Sequence, residues 1–215
     1  MEFKNTPGIF NIYKEKGMTS HDVIDELRRI TNIKKIGHAG TLDPMATGVL
    51  VVGIGRENTK KLSQIVGQEK EYLATIRLGS TSSTDDTEGE IKKNKIDKKP
   101  TFSKIEKIIK LFEGKIKQRP PDHSAIKIKG EKAYQIARKG KKPDLKPRIV
   151  FVKKISLINY KWPNLELKIM CSKGVYIRSL ARDIGKKLNT GGYLVFLQRT
   201  RVGDFKIENS IKIKN

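Results

Sequence analysis

The chain has a single cysteine, Cys171, among 215 residues. That excludes an internal disulfide framework and fits a reducing cytoplasm. Histidine is nearly as scarce: His21, His38 and His123 stand far apart, so no zinc-like ligand spacing exists and no metal is expected. No run approaches the roughly 18 apolar residues of a membrane-spanning helix, and Lys4 is not followed by the apolar core of a signal peptide. A basic amphipathic helix with a wide aromatic face is also lacking, which disfavours a membrane surface as partner. Two nucleotide-binding signatures are incomplete. Gly53-x-Gly55 has Asn58 at the third glycine position, and the Gly-Lys pairs at Gly114, Gly140 and Gly185 lack the following Ser or Thr of a P-loop. Acids are the last shortage, 23 against 46 Lys and Arg, for a net charge of +23. Such an excess points to a polyanion, nucleic acid first of all, while a lysine- and isoleucine-rich compositional bias is a second explanation for many of the lysines.

What is present reads as one globular α/β (α+β) chain, long enough for a sizeable core or for a domain with a small insertion. The segment Gly37-His-Ala-Gly-Thr-Leu-Asp-Pro-Met-Ala-Thr-Gly48 is a small-residue loop holding His38 and Asp43, and it feeds the apolar run Val49–Ile54, a buried strand. Asp43 precedes Pro44, which biases its backbone towards an extended conformation, while Gly40 and Gly48 permit close backbone approach. Two readings of Asp43-Pro44 are open at this point: a reactive acid on a rigid scaffold, or plain turn chemistry.

Around that segment, Gly8–Tyr13 reads as a first strand, and Thr19 caps a helix carrying Val23, Ile24, Leu27 and Ile30 on one face. Glu57–Val66 reads as a helix. Tyr72, Ala74, Ile76 and Leu78 alternate along one face of a strand that runs into a Ser/Thr-rich loop with Asp85, Asp86 and Glu88. Those acids are either solvated loop chemistry or acceptors for nucleobase edges. Thr101–Phe112 places Phe102, Ile105, Ile108, Ile109 and Phe112 at helical spacing, as core. Arg119–Ile126 opens a basic excursion with a helical stretch over Glu131–Lys139. Strands over Arg148–Tyr160 and Leu165–Cys171 precede a helix starting after Tyr176, and Tyr193–Phe205 contains a last strand. Arg178 lies in that helix's first turn, where a cation opposes the dipole. Either a buried carboxylate compensates it, or it is exposed and screened by water.

The loop motif resembles the signature of the TruB family of tRNA pseudouridine synthases. So do Gly17-Met-Thr-Ser20, Tyr72 followed by Arg77-Leu-Gly79, Ser124-Ala-Ile-Lys127, Ser172–Arg178 and Leu197–Phe205, in the family's order and over nearly the whole chain. The resemblance implies the pseudouridine synthase fold: a mixed, largely antiparallel sheet with flanking helices around a central RNA-binding cleft. It implies a single catalytic domain over residues 1–215, with a basic thumb-like insertion at about 115–147 and no C-terminal accessory RNA-binding domain. For want of that domain, tRNA affinity is expected to be weaker and strongly salt-sensitive. The implied activity is an isomerase acting on the T-arm of tRNA at position 55. It detaches the flipped uracil from its N1 bond and rejoins it through C5, with no cofactor and no obligate protein partner, as a cytoplasmic monomer.

Carried over by motif, Asp43 is the essential nucleophile, attacking C1′ or C6 or assisting glycal formation. Arg178 is the arginine that pairs with Asp43, and Tyr72 the tyrosine that stacks on the flipped base. Tyr176 and Leu197 line the uracil pocket. His38 touches RNA where the base was extruded, and Asp86 hydrogen-bonds the target base. Three positions depart from the family pattern: Tyr13-Lys14-Glu15 stands where Asp-Lys-Pro is usual, His123 replaces an aromatic, and Ser83 replaces a frequent aspartate. A non-catalytic RNA binder is the competing reading, and a guide-dependent synthase a third.

Overall fold

An uninterrupted apolar run has no polar face to turn outward, so it has to be covered on both sides. In the computed structural model of the protein, which describes residues 6–213 and leaves Lys4 outside them, all six residues of Val49–Ile54 are buried. They belong to the third strand of a chain whose elements begin with β1 (Gly8–Lys14), α1 (Ser20–Thr31), β2 (Ile36–His38), β3 (Thr47–Ile54), α2 (Arg56–Val66) and β4 (Lys70–Leu78). Next come β5 (Ser80–Ser82), β6 (Ile91–Lys93), α3 (Phe102–Lys110), β7 (Gly114–Gln118), β8 (Lys127–Ile128), β9 (Glu131–Lys132) and α4 (Ala133–Arg138). The chain continues through β10 (Arg148–Lys161), β11 (Asn164–Cys171), α5 (Ile177–Lys187), β12 (Gly192–Val202), β13 (Phe205–Lys206), a 3-10 turn at Ile207–Asn209 and β14 (Ile211–Lys212). Packing divides it into two compact units. One runs to Leu73 and resumes at Phe196; the other is Ala74–Val195.

In the first unit the strand order is β14-β1-β3-β12, with β2 added on β3 and β13 on β12. Strands β1 and β3 are antiparallel with Ile12 opposite Leu50, whereas β12 and β14 join their neighbours in parallel. The period of two along β3 sorts its side chains between two helices. Leu50, Val52 and Ile54 meet Val23, Ile24 and Leu27 of α1, while Val49 and Val51 meet Leu62 and Ile65 of α2. Helix α1 starts where the capping-box spacing places it: the Thr19 side chain accepts from Asp22 N, and the Asp22 carboxylate accepts from Thr19 N.

The second unit carries the order β4-β11-β10-β7, with β10 antiparallel to both β11 and β7. Tyr72, Ala74, Ile76 and Leu78 are all buried, as their alternation along β4 requires. In α5, Leu180, Ala181 and Ile184 are buried, and Gly185 lets the helix approach β12. A Cβ there would lie 2.3 Å from Gly192 N, so this Gly-Lys pair serves packing. The pairing pattern is the mixed, largely antiparallel sheet that the family resemblance implies.

Three details differ from the sequence reading. Phe102 is 54% exposed, because it occupies the first position of α3 while Ile105 and Ile109 fill the core beneath the following turns. The expected helix over 131–139 shortens to α4, preceded by the two-residue strands of a β8–β9 hairpin. The final stretch holds β13 and β14 in addition to the expected strand, and β14 pairs with β1 at Ile12 and Ile211.

Gly48 marks the tightest of these approaches. Its φ is +101°, and a Cβ would lie 2.2 Å from the Arg199 carbonyl oxygen of parallel β12. Gly48→Ala is therefore expected to cost about 3 kcal/mol or more, combining backbone strain with overpacking. Gly174→Ala, at φ +85° with open space around it, should cost only about 1–2 kcal/mol. Urea unfolding of both variants measures the difference; equal losses would rule out the backbone clash.

Candidate functional site

The Asp43 loop is built as a turn braced from three sides. Ala46 N donates to Asp43 O (3.0 Å), closing a turn with Pro44 at its second position, where the fixed proline φ is pre-set for it. Both readings of Asp43-Pro44 thus share one geometry: turn chemistry presents the carboxylate. On one side, Ser20 Oγ accepts from Leu42 N (2.8 Å) and donates to Leu42 O (3.2 Å), tying the loop to the first turn of α1. On a second, Gly17 N and Lys14 Nζ both donate to Pro44 O, at 2.9 and 3.4 Å. On the third, the wholly buried Arg199 donates through Nε to Val49 O (2.7 Å) and through Nη2 to Gly40 O (3.0 Å).

Lys14 also donates to Met18 O (2.6 Å) and Glu15 O (2.9 Å). Burial lowers its ammonium to about 8, opposed chiefly by attraction to the Asp43 carboxylate. Since Lys14 is held by backbone carbonyls, the departures at Tyr13 and Glu15 leave its contacts intact. His38 lies in β2, and its Nδ1 has no hydrogen-bond partner among the described residues. Burial, with the Arg199 charge second, lowers its pKa and favours a neutral imidazole. Tyr72 and Leu197, 7% and 5% exposed, are inward positions of β4 and β12. Asp43, His38, Tyr72 and Leu197 belong to the first unit.

The second unit holds Arg178, Asp86 and Tyr176. Arg178 is buried and faces a buried carboxylate: its Nη1 lies 3.3 Å from Asp86 Oδ2. The charge at the start of α5 is thus compensated by an acid. The same guanidinium donates to Thr84 O (3.3 Å) and His123 O (3.0 Å). Position 123 contributes its carbonyl to this contact, which any side chain there preserves. Asp86 Oδ1 accepts from the Thr84 hydroxyl and from Glu88 N. Tyr176 precedes α5, and its backbone exchanges two hydrogen bonds with the Gln118 amide.

One turn further along α5, Arg182 repeats the device. It donates to Asp85 Oδ2 (2.8 Å), Asp183 Oδ1 (2.9 Å) and Arg119 O (2.9 Å). Asp85 has φ +63°, and burial raises its carboxyl to about 6 against the pull of Arg182 and Arg178. Two consecutive acids therefore meet two arginines spaced i, i+4 on one helix face. Sequence reading missed Lys14, Arg199, Asp85 and Arg182 as site supports. The i, i+4 arginines opposite an Asp-Asp pair were a usable signal for the last two, and an arginine in alternation with inward Leu197 for Arg199. Among the described residues, no group of three His, Cys, Asp or Glu could hold a metal ion.

Comparison with known proteins adds the following. The family described as "TruB family pseudouridylate synthase (N terminal domain)" matches residues 28–177. The chain is similar to the tRNA pseudouridine synthase B of Corynebacterium diphtheriae, 45% identical over 214 residues, covering 96% of this chain and 71% of that one. Its identity to the enzyme of the same name from Clostridium tetani is 44% over 208 residues, covering 97% and 72%. Among solved structures it is similar to a chain of a Cbf5-Nop10-Gar1 complex, with a TM-score of 0.75 and 30% identity over 99% of this chain and 54% of that one. A chain from an H/ACA RNP bound to a substrate RNA containing 2'-deoxyuridine gives a TM-score of 0.71 and 29% identity, covering 95% and 50%. The present chain thus spans about half the length of those two solved chains.

The carbonyl cage of Lys14 makes a pH-dependent claim on stability. Its pKa is about 8 when folded and about 10.5 in the unfolded chain. Between those values the unfolded state binds more protons, so the Lys14 contribution to stability rises with pH from about 8 to 10.5. Urea unfolding of wild type and Lys14→Met at pH 7.5 and 10 should show wild type gaining on the variant at the higher pH. A constant difference would mean that the ammonium is not desolvated.

Proposed function

Because this chain belongs to the TruB family of pseudouridylate synthases, we propose that it isomerises uridine to pseudouridine at position 55 in the T-loop of tRNA. The observation that carries the reading is the Asp43 turn: a half-buried carboxylate on a loop locked to the core by Ser20, Lys14 and Arg199. A pure RNA binder has no use for an acid held to that accuracy, whereas a nucleophile needs it. In the proposed reaction the uridine leaves its stack and the N1–C1′ bond breaks with the help of Asp43. The uracil turns, C5 bonds to C1′, the C5 proton departs to solvent and N1 takes one up. Atoms balance without any cofactor.

Arg178 pairs with Asp43 in this reading, held ready by Asp86, Thr84 and His123. Asp86 contacts the target base and also positions Arg178. Tyr72 stacks on the flipped uracil, Tyr176 and Leu197 line its pocket, and neutral His38 meets RNA at the vacated position. The basic stretch between Arg119 and Lys142 clamps the T-arm through its phosphates. The protein acts as a monomer in the cytoplasm; among the described residues no helix is long and apolar enough to cross a membrane. A guide-dependent reaction, suggested by the likeness to ribonucleoprotein components, is the second reading. Relatives named for tRNA at 44–45% identity, with over 70% of their length matched, favour the first.

Incubation with guide-free tRNA tritiated at C5 of uridine tests all three readings. Wild type should release label to water, and Asp43→Asn should release none while its tRNA affinity stays within about twofold. Absence of release from guide-free tRNA would refute the first reading; release on adding a guide RNA would then favour the guide-dependent one, and continued absence a binder. Arg178→Lys should lower the rate about 100-fold or more, since one ammonium cannot serve several acceptors in a planar fork. Near-normal turnover of that variant would refute the pairing.

A further inference from the structure

One concavity of the second unit is lined by none of the residues assigned to the reaction. It is an open groove of about 850 Å³ beside the C-terminal half of α5, lined by Lys117, Arg119, Arg182, Lys186 and Lys187, with Asp183 its only acid. Apolar walls are few, chiefly Phe112 and Pro147, and Asn189 adds one amide. The two guanidiniums form a fixed floor. Arg182 is held by Asp85, Asp183 and Arg119 O, and Arg119 by Asp122 at 2.7 Å. Lys117, Lys186 and Lys187 are exposed at the rim and make no ion pair among the described residues. The C-terminal dipole of α5, equivalent to roughly half a negative charge, offsets only a fraction of them.

We propose that this groove is a docking site for the phosphodiester backbone of the substrate RNA, outside the site of base exchange. It rests on RNA being the substrate. A floor of pre-oriented guanidiniums ringed by uncommitted ammoniums suits phosphates. Its guanidiniums are already engaged by Asp85, Asp183 and Asp122, so the uncommitted groups are chiefly ammoniums, which take phosphates as point charges. Lys186 follows Arg178 by eight residues, which is about 12 Å along the helix axis. For a stacked strand that follows α5, rising about 3.4 Å per nucleotide, a phosphate at Lys186 is three to four nucleotides from one at Arg178. Arg119 and Pro147 place the groove at the root of the basic insertion, within reach of RNA that the insertion grips.

The test compares RNA binding of wild type, the triple variant Lys117→Gln/Lys186→Gln/Lys187→Gln, and the matching triple Lys→Arg variant across a salt series. Loss of three phosphate contacts should make the slope of log K against log salt about 2–3 units shallower, with Lys→Arg restoring it. A control triple at Lys34, Lys35 and Lys61, exposed lysines of the first unit, should reduce the slope less. On an oligonucleotide with two residues either side of the target uridine, wild type and the Gln variant should bind alike. An unchanged slope, a control triple with an equal effect, or an equal loss on the short oligonucleotide would each overturn the proposal. Binding is read without turnover, so failure of the catalytic reading would show separately, as tRNA bound and no tritium released.

Discussion

A guanidinium taken wholly out of water is tolerated only where acceptors wait for it in fixed positions. Arg199 is such a group, and its acceptors are the carbonyls of Val49 and Gly40, about 150 residues earlier in the chain. Meeting them requires β12 to lie parallel against β3 at one register, with Arg199 opposite Gly48. A slip of one residue would turn Gln198 inward and leave both carbonyls unanswered. The backbones approach so closely that Gly48 can carry no side chain. The loop bearing Asp43 inherits its rigidity from this lock, which is how a carboxylate on a loop can be held as firmly as one on a helix.

The same solution recurs at other buried cations. Lys14 is answered by the carbonyls of Glu15, Met18 and Pro44, and Lys70 by those of Val66 and Gln68. Acids serve elsewhere: Asp86 for Arg178 and Asp85 for Arg182 along α5, and Glu69 for Arg201 on β12. With 23 acids against 46 basic side chains, interior cations draw largely on the backbone. Most of the lysine charge is left at the surface, where it produces the long-range field that attracts a polyanion. Stability and partner choice thus rest on separate sets of cations: a few buried ones that water never reaches, and many exposed ones that salt can screen.

The raised carboxyl of Asp85 shows how closely these roles adjoin. It is buried in a left-handed backbone conformation beside two guanidiniums, one a candidate for the chemistry and the other a wall of the phosphate groove. Helix α5 therefore serves as a ruler. Its first turn presents Arg178, its second fixes the acidic loop through Arg182, and its last offers Lys186 and Lys187 to solvent.

Much of this was legible in the residues. The apolar run of β3, the alternation of β4, the capping box at Thr19 and the helical spacing in α5 are local patterns, because periodicity and turn chemistry are written within a few positions. Asp43, in a loop of small residues before a buried strand, could be singled out by the same means. The brief strands β2, β13 and β14 could not, since two or three residues carry no period, and their pairing depends on strands already in place. By itself the sequence determined the long strands and helices, which acid stands out, and a net charge of +23 that suits a polyanion. Only the tertiary structure decided which of the 46 basic side chains leave water, and what receives them. Lysine and arginine look the same in a sequence whether solvated or buried, and register across many residues is what brings a carbonyl to each one.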